Sequence, residues 1–135
     1  MASIQSHASF SLLIVEDDKT ALNVTVRMVG LKFPGCTIYT AENGRKGLDL
    51  FREHTPDVIV TDIKMPEMDG IEMAREIRSI NDQAPCIVLT GYGDKNYFEK
   101  FKEIGFCAYL MKPIVFDELF VTIERCCAES KRRPE

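Results

Sequence analysis

Val58-Ile59-Val60-Thr61-Asp62 is the stretch on which the fold turns. Its first three residues are apolar and β-branched, so a strand built from them suits water on neither side. A strand apolar on both faces belongs in a parallel sheet covered on both sides. Four more short apolar runs flank it: Leu12 to Val15 and Cys36 to Thr40 before it, Cys86 to Leu89 and Cys107 to Met111 after it. Between these runs the apolar period changes from that of a strand to that of a helix. Leu22, Val26, Val29 and Phe33 share one helical face, although Val24-Thr25-Val26 also alternates as a strand does, and Pro34-Gly35 ends the segment. Gly44 to His54 is a second helix that buries Leu48 and Phe51 and stops before Pro56. Ile71, Ala74 and Ile77 mark a third, ending near Ile80. Phe98, Phe101 and Ile104 line a fourth, which an N-cap at the end of the loop Thr90 to Asp94 opens and Gly105 closes. Phe116, Leu119, Phe120, Ile123 and Cys127 form the apolar side of the fifth.

Five βα units in succession define an α/β fold. Right-handed crossovers leave few ways to lay out five parallel strands, and at this length the expected one is a flavodoxin-like (βα)5 doubly wound sheet, strand order 2-1-3-4-5. One domain over residues 10–130 is expected, with 1–9 and 131–135 as tails. A chain of 135 residues suits one domain and not two.

Composition excludes several roles. With 17 Lys and Arg against 21 Asp and Glu, the formal charge is −4, too acidic for direct binding of a phosphate backbone. No apolar run approaches the roughly 18 residues that a membrane-spanning helix needs. The opening Met1 to Phe10 lacks the cationic and apolar regions of a secretory signal, so a cytoplasmic location is expected. The five cysteines form no Cys-x-x-Cys and read as reduced, mostly buried thiols. Two distant histidines give no transition-metal site.

In an open parallel sheet, ligands bind beyond the carboxyl ends of the strands, where the strand order reverses. The residues that follow each strand are therefore the candidates. Strand one delivers Glu16, Asp17 and Asp18, strand three Asp62, strand four Thr90 and Gly91, and strand five Lys112. Strand two delivers Ala41 and Glu42 at the edge, away from the switch point. Singly, each has an ordinary structural role as a cap, a turn or a strand end. Together they gather the unusual charges at one end of one sheet. Converging carboxylates repel unless a cation joins them, and hard oxygen ligands suit Mg²⁺ or Mn²⁺. A lysine and a threonine beside them could grip anionic oxygens. That combination describes phosphoryl transfer with a carboxylate as nucleophile.

The chain resembles a response-regulator receiver domain, the phosphoacceptor module of two-component signalling. The resemblance rests on Leu12-Leu13-Ile14-Val15-Glu16-Asp17-Asp18, on Val60 through Asp62-Ile63-Lys64-Met65-Pro66-Glu67-Met68-Asp69-Gly70, on Val88 to Asp94 and on Gly105 through Lys112-Pro113-Ile114. Asp17 to Asp62 is 45 residues, Asp62 to Thr90 is 28 and Thr90 to Lys112 is 22, as in the family. It implies that Asp62 becomes an aspartyl phosphate. Asp17 would bind Mg²⁺ directly, Glu16 would act largely through its waters, and Asp62 with the backbone carbonyl of Lys64 would complete the protein's share of the shell. Lys112 would contact the phosphoryl group and Asp62, Thr90 would hydrogen-bond it, and the N–H of Gly91 would help. The Lys112–Pro113 peptide is expected cis, and Asp18 is expected to be a cap and not a ligand. Thr90 and Tyr109 are the expected switch pair, acting on the surface of the fourth helix, fifth strand and fifth helix. That surface would carry some of Tyr97, Phe98, Phe101, Tyr109, Ile114 and Phe120, the rest being core.

The resemblance implies a signalling domain that catalyses its own phosphorylation and dephosphorylation only. Its partners would be a sensor histidine kinase or a histidine phosphotransfer protein, with a downstream effector or output domain and a monomeric or phosphorylation-dependent dimeric state. The alternatives are a receiver fragment of a larger transcriptional regulator or hybrid kinase, or an aspartate-nucleophile phosphatase. The phosphatase motif needs a second Asp two residues after the nucleophile, where this chain has Lys64. A flavin-phosphate site would need hydroxyls and amides after strand one, where Glu16-Asp17-Asp18 would repel a phosphate.

Overall fold

The structure, a computed structural model, describes residues 9–91, 95–105 and 108–132. Elements alternate as β1 Ser11–Val15, α1 Lys19–Lys32, β2 Thr37–Ala41, α2 Gly44–His54, β3 Val58–Asp62, α3 Gly70–Ile80, β4 Cys86–Thr90, α4 Lys95–Ile104, β5 Ala108–Met111 and α5 Phe116–Arg132. The strands pair in parallel in the order β2-β1-β3-β4-β5. The (βα)5 doubly wound architecture is therefore the one expected from the alternation of periods.

The apolar runs are buried on both faces because helices cover both. On one face Leu13, Val15, Ile59 and Val88 pack with Leu48, Phe51, Ile71, Ile77 and Phe101 from α2, α3 and α4. On the other, Leu12, Ile14, Val58, Val60, Ile87 and Leu89 pack with Val29, Leu119 and Ile123 from α1 and α5. Phe10 and Phe33 meet edge to face at 5.4 Å, and Phe33 meets Phe120 at 5.9 Å, closing the base of the second face. Phe101 and Phe120 are thus core, while Tyr97, Tyr109 and Ile114 are half-buried. The side chain of Phe98 and the expected N-cap Asp94 lie outside the described residues.

Val24-Thr25-Val26 lies within α1, where Thr25 turns inward and Val24 is exposed. The Asp18 side chain caps that helix by accepting the Ala21 N–H, which accounts for the third acid after β1. Gly105 takes φ +100° and its N–H donates to the Phe101 carbonyl, so it ends α4 as a C-cap. β2 runs one residue later than expected, Thr37 pairing with Ser11, and α5 continues to Arg132. Cys36, Cys86 and Cys127 form no disulfide, but Cys126, wholly buried on α5, is disulfide-bonded. That corrects the expectation of reduced cysteines throughout. Spacing along the chain does not disclose which sulfurs the fold brings into contact; Cys107 lies outside the described residues. No helix among the described residues is long and apolar enough to cross a membrane.

Candidate functional site

Parallel pairing ends β1, β3 and β4 at one edge of the sheet, so their last residues and the loops after them meet there. Glu16 and Asp17 follow Val15, Asp62 closes β3 and Thr90 closes β4. Lys112 follows β5, and its N–H donates to the Thr90 carbonyl at 2.8 Å, fixing the start of its loop beside β4. The Lys112–Pro113 peptide is cis.

Carboxylate oxygens of Glu16, Asp17 and Asp62 lie within 4.8 Å of one another. Glu16 is buried and Asp17 is exposed. The Lys112 ammonium stands 2.9 Å from Asp62 Oδ2 and 3.5 Å from Glu16 Oε1. Burial alone would lower the Lys112 pKa. The hydrogen bond to Asp62 and the charges of Asp62 and Glu16 outweigh it and raise the lysine above its ordinary value, so it stays charged. Burial pushes the Glu16 carboxyl up. The Asp18 N–H at 3.1 Å from Oε2 opposes that rise, and the neighbouring Asp62 and Asp17 charges add to it. An acid so placed is more easily ionised once a cation offsets its neighbours. The donor set is hard oxygen with one carboxylate open to solvent, which suits a small divalent ion that keeps some water.

Local hydrogen bonds hold Asp62 firmly. Its Oδ1 accepts the Ile63 N–H at 3.0 Å, and its backbone carbonyl accepts the buried Thr61 hydroxyl at 2.8 Å. Gly70 N–H donates to the Ile63 carbonyl at 2.8 Å, and a methyl group at Gly70 would collide with the Asp62 carbonyl oxygen. Asp69 caps α3 in a reciprocal box with Glu72, so the loop from Asp62 to Gly70 is anchored at both ends. Thr90 is wholly buried; its hydroxyl donates to the Gly91 carbonyl and accepts the Tyr109 phenol, each at 3.4 Å. The structure thus gathers Glu16, Asp17, Asp62, Thr90 and Lys112 at one end of the sheet, with Gly91 and Tyr109 adjoining Thr90. Lys64 stands in the loop two residues after Asp62.

Sequence reasoning set the end of strand two aside as an edge, yet the loop after β2 braces the site. The Glu16 N–H donates to the Ala41 carbonyl at 3.0 Å, and the Gly44 N–H donates to the Met68 carbonyl at 2.8 Å. Asn43, buried, caps α2 through the Lys46 N–H. An Asn-Gly pair opening a helix was the only trace of this in the sequence.

A doubly wound parallel sheet with an acidic, lysine-closed site at its carboxyl edge defines the class, and the comparisons name it. The family model "Response regulator receiver domain" matches residues 12–124. The transcriptional regulatory protein ZraR of Escherichia coli K12 is 31% identical over 93% of this chain, which spans only 28% of that protein. Sporulation initiation phosphotransferase F of Bacillus subtilis is 30% identical over 79% of this chain and 86% of its own length. Among solved structures, a response regulator receiver domain protein from Clostridium thermocellum superposes with TM-score 0.85 at 30% identity, over 90% of this chain and 97% of that one. The chain belongs to the response regulator receiver domain family.

Proposed function

We propose that this domain is a phosphorylation-activated switch that takes a phosphoryl group from a partner's phosphohistidine onto Asp62. The observation that carries the reading is the Lys112 ammonium 2.9 Å from Asp62, opposite a cluster of three carboxylates and beside the buried Thr90. In the reaction an Asp62 carboxylate oxygen attacks phosphorus, the P–N bond of the phosphohistidine breaks, and its electron pair returns to the imidazole. Lys112 offsets the charge that gathers on the phosphoryl oxygens, and the Gly91 N–H and the Thr90 hydroxyl hydrogen-bond them. Glu16, Asp17, Asp62 and the Lys64 carbonyl would hold Mg²⁺, with Mn²⁺ a substitute, and the ion would supply charge neutralisation when bound. The domain turns over no separate substrate. It catalyses only the gain and loss of its own phosphoryl group.

Phosphorylation replaces the single charge of the Asp62 carboxylate with about two on the phosphoryl group, a net gain of about one negative charge, and adds three acceptor oxygens. Thr90 then moves toward them, Tyr109 follows its hydrogen bond inward, and the face formed by α4, β5 and α5 changes shape. Met111, Val115 and Val121 are exposed on that face and suit an effector or output domain. A sensor histidine kinase or a phosphotransfer protein would be the donor, in the cytoplasm, with residues 10–130 as the functional unit. An aspartate-nucleophile phosphatase would need an acid two residues after Asp62, where Lys64 stands.

Incubation with acetyl phosphate should add one phosphoryl group by intact mass only when Mg²⁺ is present, and Asp62→Asn should abolish it. A phosphoryl group retained on Asp62→Asn would remove Asp62 from the role.

A further inference from the structure

The loop after Asp62 reaches α4 through one aromatic ring. Lys64 Nζ lies 5.7 Å from the centroid of Tyr97, in the first turn of α4, and Lys100 Nζ lies 5.9 Å from the same centroid. Tyr97 is half-buried against the core on the α2–α4 side of the sheet, so its ring is anchored by α4 and by that core. Lys64 is differently held. The chain before it is fixed by the bonds to Asp62 and Ile63, and the chain after it by Gly70, whereas the Lys64 side chain is exposed and extends to the ring. The ring face attracts an ammonium, and the contact restrains the long lysine stem.

We propose that Tyr97 is a positioning residue for the metal-side loop, acting through the Lys64 side chain. The ring fixes Lys64, and so the direction of its backbone carbonyl, against α4. By the same contact, the state of the site is mechanically coupled to the helix that the switch is to move. This inference rests on the receiver reading, because it assigns a consequence to the Lys64 carbonyl facing the ion. The coupling is reciprocal: what Tyr97 adds to ion affinity, the ion adds to the hold on α4.

A double-mutant cycle with Mg²⁺ alone tests it, read by titration calorimetry and by amide exchange of α4 with and without the ion. Tyr97→Leu should weaken Mg²⁺ about two- to fivefold, the range an exposed cation–π contact supports, and should erase the Mg²⁺-dependent protection of α4. Tyr97→Phe, which keeps the ring, should behave as the unaltered protein. Lys64→Met, which keeps the carbonyl, should weaken Mg²⁺ as Tyr97→Leu does, with no further loss in the double variant. Lys100→Met should leave Mg²⁺ affinity unchanged. Unaltered affinity in Tyr97→Leu, or an equal loss from Tyr97→Leu whether residue 64 is Lys or Met, would overturn the inference while the protein still accepts a phosphoryl group. If the unaltered protein accepts none, the receiver reading fails, and this inference fails with it.

Discussion

At the scale of single residues, the site sets one ammonium against three carboxylates. Burial pushes the Glu16 carboxyl above the ordinary value of 4.5. In the pH window above 4.5 the folded chain therefore holds this proton more tightly than the unfolded chain does. Its contribution to stability is complete below that window and is lost as pH rises through the folded value. Ionising Glu16 therefore works against the metal-free fold. Glu16→Gln should accordingly raise the Tm of the metal-free protein at pH 7 and shrink the further rise that Mg²⁺ produces. A lower metal-free Tm would show that the contact with Lys112 outweighs the cost of burial. The site residues were legible because each directly follows an apolar run. The brace from Asn43 and Gly44 was not, since it depends on two loops meeting across the sheet edge.

At the scale of elements, helix starts and close approaches matter more than intrinsic propensity. α1 contains the β-prone Val24-Thr25-Val26 and is nonetheless a helix, because Asp18 caps it and Val29 and Phe33 need its inner face. Glycines give a sharper contrast. Gly70 lies where an added methyl would meet the backbone of Asp62, whereas at Gly30, inside α1, the nearest atom would be Ile38 Cδ1 at 4.0 Å. Gly70→Ala should cost about 1–3 kcal/mol, as overpacking against rigid backbone does, and should slow phosphorylation by displacing the strand end. Gly30→Ala should stabilise by up to about 1 kcal/mol through helix propensity alone. Chemical denaturation of both variants checks this, and a harmless alanine at Gly70 would refute the tight approach. Strand ends shifted by one residue from those expected because a ladder is terminated by its partner strand, as Ser11 opposite Thr37 shows.

At the scale of the whole molecule, one sheet carries two cores, and this ties remote parts to the site. Phe33 joins the lead-in residue Phe10, the end of α1 and α5 at the base of one face. Phe33→Ala should cost about 3–5 kcal/mol and still give a single unfolding transition, because both faces share every central strand. Urea unfolding followed by circular dichroism and by tyrosine fluorescence should give coincident curves. Two separated transitions would mean that the faces are independent units. The switch face proposed above belongs to this scale too, as β5 and α5 are anchored to the second core while α4 belongs to the first.

The sequence by itself determined the alternation of strand and helix, the parallel sheet, the family and the residues that converge. The alternation, the sheet and the convergence follow from local periodicity and from the rule that residues after parallel strands meet at one edge, and the family follows from the resemblance of the motifs at that edge. Only the tertiary structure decided that Lys112 stands at bonding distance from Asp62, that Cys126 is oxidised and that Tyr97 bridges Lys64 and Lys100. The Lys112–Asp62 and Lys64–Tyr97 contacts depend on side chains brought together from separate elements. Distances between such groups are set by how helices pack on the sheet, which no local pattern encodes.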